Sequence, residues 1–238
     1  MRTKYPILFT RKLNAQQIEY ARLKGIEPTI KPALTVEHPA YWEKILAVIA
    51  ENRRSDWVFT SQKAVQALEI MMQKGLQPEP GITVFAVGPK TQQKLVDLGI
   101  KAEIPAIHDA QHLAKYIVNH ASRNNRNLIY FRGNRSLQTL QETLDKEGFT
   151  LDELEVYRTT LNTISIPERH FEGVVFYSPS AVEAFEQSGG FERQWNYLFA
   201  IGPTTAASLD TIDSKDARII YPKKQQTLYL LNTISKSL

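Results

Sequence analysis

The chain of 238 residues contains no cysteine. That excludes a disulfide framework, a thiolate metal site and a cysteine nucleophile, and it fits a reducing compartment. No apolar run approaches the roughly eighteen residues that a membrane-spanning helix needs. The N-terminus, Met1-Arg2-Thr3-Lys4, leads into only a short apolar stretch before Arg11 and Lys12, too little for the apolar core of a secretory signal. A cytoplasmic protein without a membrane partner is therefore expected. Neither sign of charge dominates: the formal charge is +4, and there is no arginine-rich arm, so nucleic acid is not an expected partner. The basic pairs Arg53-Arg54 and Lys223-Lys224 stand apart and read as solvated surface. Missing too are a P-loop, a G-x-G-x-x-G turn and a G-x-S-x-G elbow. His108 and His112 have metal-like i, i+4 spacing around Asp109 but no third ligand nearby in sequence. Neither a metal nor an organic cofactor is expected.

What is present is a duplication. Trp57-Val58-Phe59-Thr60-Ser61 is followed by Ala64-Val65 and then Val87-Gly88-Pro89-Lys90-Thr91. Val174-Val175-Phe176-Tyr177-Ser178 is followed by Ala181-Val182 and then Ile201-Gly202-Pro203-Thr204-Thr205. Ser61 and Ser178 are 117 residues apart, and Gly88 and Gly202 are 114 apart. A second echo links Phe9 and Gly25 with Phe131 and Gly148. Repeated pieces in one order imply two related lobes of roughly 100–120 residues each. Each repeated piece ends an apolar strand in a hydroxyl residue or Gly-Pro and then opens a helix. Backbone N–H groups and hydroxyls at such a start are suited to an anion.

Along the chain, strand and helix patterns alternate. Strands are predicted at 7–10, 56–60, 83–87, 101–104, 128–131, 174–177, 198–201 and 218–221. Extended segments at 28–36 and 151–159 complete the set. Helices fall between them, with Gly25, Gly99 and Gly148 at helix ends. One apolar stripe runs through Ala64, Val65, Leu68, Met71 and Met72, another through Leu137, Leu140 and Leu144, and a third through Leu228, Leu231 and Ile234. This pattern predicts an α/β fold of two doubly wound, flavodoxin-like parallel-sheet lobes. In such sheets ligands bind beyond the carboxyl ends of the strands, where Ser61, Gly88, Arg132-Gly133, Ser178 and Gly202 fall.

Six pieces resemble the uroporphyrinogen-III synthase family: Phe59-Thr60-Ser61 with Ala64-Val65; Val87-Gly88-Pro89 with Thr91; Phe131-Arg132-Gly133; Glu155-Val156-Tyr157-Arg158-Thr159; Phe176-Tyr177-Ser178-Pro179-Ser180; and Ala200-Ile201-Gly202-Pro203-Thr204-Thr205-Ala206. They span essentially the whole chain in the family's order. The resemblance implies a discontinuous first lobe of residues 1–34 plus 164–238, a second lobe of 38–157, and extended linkers at 34–38 and 158–164. It implies a cofactor-free, monomeric lyase that cyclises hydroxymethylbilane in the cleft between the lobes. That substrate is a linear tetrapyrrole with eight carboxylates; it loses water and its terminal pyrrole is inverted. A transient contact with the preceding pathway enzyme is also expected. The segment Asp210 to Lys215 departs from the family in having no glycine.

By this resemblance, Tyr157 is the catalytic candidate, a neutral phenol that assists departure of the hydroxyl. The substrate-binding candidates are Ser61, Lys63, Gly88, Thr91, Arg132, Gly133, Ser178, Ser180, Gly202, Thr204 and Thr205. Helix capping alone also accounts for Ser and Thr at such starts, a strand-end arginine is often a salt-bridge partner, and Tyr157 also fits a hinge-packing role. Gly88 and Gly202 are expected to allow tight turns and close approach. Trp57, Trp195 and Tyr197 read as packing residues. Two rival readings are a two-lobed binding protein for an anionic ligand and a tandem response-regulator-like module. The second needs an acidic cluster at the first strand end, where this chain has Thr10-Arg11.

Overall fold

A computed structural model describes residues 4–121, 126–136, 138–212 and 216–238. In chain order, β1 is Tyr5–Phe9, α1 Ala15–Leu23, β2 Ile26–Ile30, β3 Leu34–Glu37 and α2 Trp42–Glu51. Then come β4 (Asp56–Phe59), α3 (Gln62–Gln73), β5 (Val84–Ala86), α4 (Pro89–Asp97), α5 (Ala110–His120), β6 (Asn127–Gly133) and α6 (Thr139–Lys146). The chain continues through β7 (Thr150–Leu161), β8 (Gly173–Phe176), α7 (Pro179–Gln187), β9 (Tyr197–Ala200), α8 (Pro203–Asp210), β10 (Arg218–Ile220) and α9 (Thr227–Ser237). A 3-10 turn lies at Gly190–Glu192.

Two five-stranded sheets result, ordered β10-β9-β8-β1-β2 and β3-β7-β6-β4-β5. The pairs β1–β2, β1–β8, β8–β9 and β9–β10 are parallel, as are β4–β5, β4–β6 and β6–β7. The chain divides into one compact unit of Met1–Thr35 with Thr160–Leu238 and a second of Val36–Thr159.

Strand periodicity explains the cores. Successive side chains of a strand face opposite sides of its sheet. Trp57 and Phe59 therefore pack with Ile129, Phe131 and the α3 residues Ala64, Leu68 and Met71, while Val58 joins Leu128, Tyr130 and the α5 and α6 leucines on the other face. Phe59 and Phe131 stack with ring centroids 4.6 Å apart. In the first unit, Leu8, Val174 and Phe176 pack against α7 and α8, while Ile7, Phe9 and Val175 pack against α9. With both faces covered, the strands read as continuous apolar runs.

Several expectations are corrected. The extended stretch 28–36 is two strands: β2 ends at Ile30, and β3 starts at Leu34 on the edge of the other sheet. The expected extended linkers include strand: 34–37 is β3, and β7 runs on to Leu161. Tyr157 thus lies inside β7, not at its end. The short strand at 101–104 is reduced to one parallel bridge between Phe85 and Glu103. Leu228 is 48% exposed, and the buried stripe of α9 is Leu230, Leu231 and Ile234. Leu137 lies outside the described residues, as do 213–215 in the glycine-free segment. Among the described residues, no helix is long and apolar enough to cross a membrane.

Candidate functional site

In the second unit the carboxyl ends of β4 and β6 gather four candidates around one phenol of β7. Ser61 is the N-cap of α3, and its hydroxyl accepts from the Lys63 amide at 3.1 Å. Tyr157 pairs in register with Gly133 across a β-bulge at Arg132. A Cβ on Gly133 would stand 2.4 Å from two Tyr157 ring carbons and 2.8 Å from its hydroxyl, so only glycine lets the ring lie there. The Lys63 ammonium sits 5.6 Å from the centre of that ring and donates to Thr159 Oγ1 at 3.2 Å. Burial holds the Lys63 ammonium below its usual range. Burial pushes the Tyr157 phenol up; a hydrogen bond with Ser61 and the Arg132 charge oppose the rise, and Tyr130 adds to it. At neutral pH this phenol keeps its proton and remains a donor.

Arg132 has its charge matched locally. It pairs with Glu153 of β7, and its Nε donates to the Gly133 carbonyl at 3.1 Å. Asn134 then clamps Thr159, accepting from its amide at 2.8 Å and donating to its carbonyl at 3.3 Å. At the end of the neighbouring strand β5, Gly88 caps α4 with no side chain and Thr91 is buried in the first turn. The Gly88 backbone is extended, so the expected tight turn is absent. What demands glycine is His108, whose Cβ lies 2.9 Å from where a Cβ would be. His112 pairs with Asp109, which caps α5. No group of three or more potential metal ligands exists among the described residues.

The first unit repeats the arrangement with different side chains. Ser178 caps α7 and accepts from the Ala181 amide at 3.3 Å, with Ser180 half-buried beyond it. Gly202 caps α8 with no side chain and an extended backbone; a Cβ there would meet Gln225 at 2.7 Å. Thr205 is buried, whereas Thr204 is exposed. The serines thus satisfy their own helix starts, while the two glycine caps leave first-turn N–H groups without a side-chain acceptor.

Three groups went unmarked in the sequence reading. Thr10 is buried and bonds to the Val175 carbonyl at 2.7 Å. Arg11, exposed beside it, lies 3.9 Å from the centre of the Tyr177 ring and donates to Thr227 Oγ1 at 2.9 Å. Burial pushes the Tyr177 phenol up to about 12, with Arg11 pulling the other way. Its hydroxyl is closed off from solvent and lacks a partner in hydrogen-bond geometry, though Thr227 is close by. The signal for Arg11 was available: it stands two residues past Phe9, just beyond the carboxyl end of β1. Lys224, read as solvated surface, donates to Tyr229 Oη at 3.3 Å.

Fold and strand ends define a doubly wound α/β protein that offers anion donors beyond the carboxyl ends of its strands. The sequence matches the uroporphyrinogen-III synthase HemD family over residues 16–225. The chain therefore belongs to the uroporphyrinogen-III synthase family. It is 27% identical over 209 residues to uroporphyrinogen-III synthase of Chlorobaculum parvum, covering 80% of this chain and 82% of that one. A crystal structure of a mutant uroporphyrinogen III synthase from Thermus thermophilus has a similar fold, with a TM-score of 0.71 at 14% identity over 98% of both chains. Uroporphyrinogen-III synthetase from Helicobacter pylori reaches 0.63 at 18% identity over the full length of both.

Proposed function

We propose that this chain catalyses the family's reaction, as a cyclising hydro-lyase that converts hydroxymethylbilane to uroporphyrinogen III. The observation that carries the reading is the family match, whose span takes in every candidate site residue. Nothing in the comparisons favours a non-catalytic binding protein. The two-lobe reading, with lobes 1–34 plus 164–238 and 38–157 and links at 34–38 and 158–164, is supported by matching strand orders. With the Glu103 bridge counted, β7-β6-β4-β5 runs as β2-β1-β8-β9-β10 does.

The chemistry needs little from side chains. The pyrrole nitrogens expel the hydroxyl of the hydroxymethyl carbon; that hydroxyl takes a proton and leaves as water, giving an azafulvenium cation. The substituted carbon of the terminal pyrrole attacks this cation to form a spiro intermediate. One bond of that intermediate breaks, the ring recloses inverted, and the carbon that closes it loses its proton. Tyr157 is assigned to donate to the departing hydroxyl. Its neutral, raised phenol and its fixed seat on Gly133 support that role. Ser61, Lys63, Gly88, Thr91, Arg132 and Gly133 of one unit and Ser178, Ser180, Gly202, Thr204 and Thr205 of the other are assigned to hold the carboxylated chain folded. The enzyme is read as a cytoplasmic monomer without cofactor, receiving its unstable substrate by transient contact with the enzyme that makes it.

The test is to incubate the protein with enzymatically generated hydroxymethylbilane and resolve the ring isomers. Isomer III in excess is expected. Isomer I alone, at the uncatalysed rate, sinks the reading.

A further inference from the structure

The cationic group at the β1 end of the first unit is set differently from Arg132 and Arg158 in the second. Arg132, at the matching β6 end, is neutralised by Glu153. Arg158 pairs with Glu155. Arg11 has no carboxylate within 4 Å among the described residues. It is nevertheless held, with its guanidinium 3.9 Å over the Tyr177 ring and one N–H spent on Thr227 Oγ1 at 2.9 Å. A guanidinium carries five N–H donors in a rigid fork, so four remain to be used. Stacking on a ring holds that plane while leaving its edge open. Thr227 opens α9, whose N-cap Gln226 makes no side-chain cap, and Thr10 beside Arg11 is locked to Val175. A charged fork held in place, unmatched and exposed at the ligand end of a parallel sheet, is built for an anion of planar geometry.

We infer that Arg11 is a substrate-positioning residue that takes one carboxylate of the linear tetrapyrrole bidentately, with the Tyr177 ring as its support. This rests on the proposed activity, and it adds a charged contact to a first unit whose candidates so far offer only hydroxyls and amides. Tyr177 does not touch substrate in this scheme; it acts through Arg11.

The experiment compares wild type with R11Q, R11K and, as a control for lost charge, K236Q at the far end of α9. Three readouts are taken: KM and kcat for hydroxymethylbilane, the Kd of uroporphyrin III (an octacarboxylate probe) by quenching of protein fluorescence, and the salt dependence of that Kd. For R11Q, KM and Kd should rise on the order of 10- to 100-fold while kcat changes little, as a charge-assisted contact is lost. The dependence of log Kd on log salt should flatten. R11K should keep the salt slope but recover only part of the affinity, because the fork and the stack are gone. K236Q should match wild type. A KM, Kd and salt slope for R11Q indistinguishable from wild type overturns the inference. So does a fall in melting temperature without change in Kd, which would make Arg11 a brace only. If R11Q does not fold, R11K decides alone: unchanged Kd and KM overturn the proposal. The functional reading fails separately, if wild type makes no isomer III, while the probe arm still reports on Arg11.

Discussion

The two strand-end sets share a backbone plan and differ in how they handle charge. In the second unit the arginine is spent on Glu153, the lysine is wedged over a phenol, and that phenol rests directly on Gly133. In the first unit Arg11 has no acid partner within 4 Å among the described residues and rides on Tyr177, whose own hydroxyl is closed off. The duplicated pieces explain the likeness: they supply the serine caps of α3 and α7 and the glycine caps of α4 and α8. Lys63 and Tyr177 lie in those pieces; the other unlike groups come from β6 and β7 in one unit and from the β1 end and α9 in the other. The Ser and Gly-Pro helix starts thus set where first-turn N–H groups lie in each unit, while the charged side chains beside them differ. The second unit is organised to hold one neutral donor rigidly, and the first to present a positive charge.

The largest break in that contrast should come from Gly133→Ala. The added Cβ lands 2.4 Å from the Tyr157 ring, and that ring packs against the β4–α3 core, so it has little room to yield. Overpacking of this kind costs about 1–3 kcal/mol, to be read by urea unfolding. Activity should fall at least as far as when the hydroxyl itself is removed, because the whole ring is displaced. A stable, fully active Gly133→Ala would show that the seat does not position the phenol.

Tyr157→Phe sharpens the same point by leaving the ring in place. Isomer III formation should drop roughly 10- to 100-fold if the hydroxyl assists departure of water. Melting temperature should barely move, since the ring packing is kept. Near-wild-type turnover in the Phe variant, with poor folding in Tyr157→Ala, assigns the residue to packing.

Much of this was legible before any coordinates. Alternating apolar runs such as Trp57–Phe59 and Val174–Phe176 are buried on both faces and could only be central parallel strands. The serine and Gly-Pro helix starts were equally plain, because their local chemistry suffices. What stayed hidden depends on pairing between distant segments. Strand β7 could not be seen to reach Leu161, since Arg158-Thr159-Thr160 has no apolar signal and its pairing is set by tertiary context. The partner of Arg132 is 21 residues away, and the ring on which Arg11 lies is 166 residues away, so neither follows from spacing. Gly88 and Gly202 were recognised as special, but for the wrong half of the reason: both are extended, and each is covered by a side chain from the loop before the next helix.

That last pair gives a smaller test. Gly88 faces the Cβ of His108, which cannot move without its backbone, whereas Gly202 faces the flexible end of Gln225. Gly88→Ala should therefore cost about 1 kcal/mol or somewhat more, and Gly202→Ala about 0–0.5 kcal/mol. Measured side by side by urea unfolding, equal costs would mean that the two glycine caps are not differently crowded.

The smallest effect concerns Asp56, at the start of β4, opposite the candidate site and without a counterpart in the first unit, where Gly173 opens β8. The residue is only 2% exposed; Oδ1 accepts from the Thr83 amide at 2.7 Å, and Oδ2 has no hydrogen-bond partner among the described residues. Burial raises its pKa above the usual carboxylate value, and the Glu103 charge adds to the rise; the Thr83 bond only partly offsets it. The folded protein thus binds this proton more tightly than the unfolded chain does. Stability from the protonated form is fully present below the unfolded pKa and is lost as pH rises through the folded one. Asp56→Asn keeps the acceptor for Thr83 and removes the titration, so it should equal or exceed wild type in stability at pH 7. The gap should close as pH falls through the raised pKa. Urea unfolding of both proteins at several pH values checks this, and a gap that widens toward acid would show that Asp56 is ionised and stabilised in the fold.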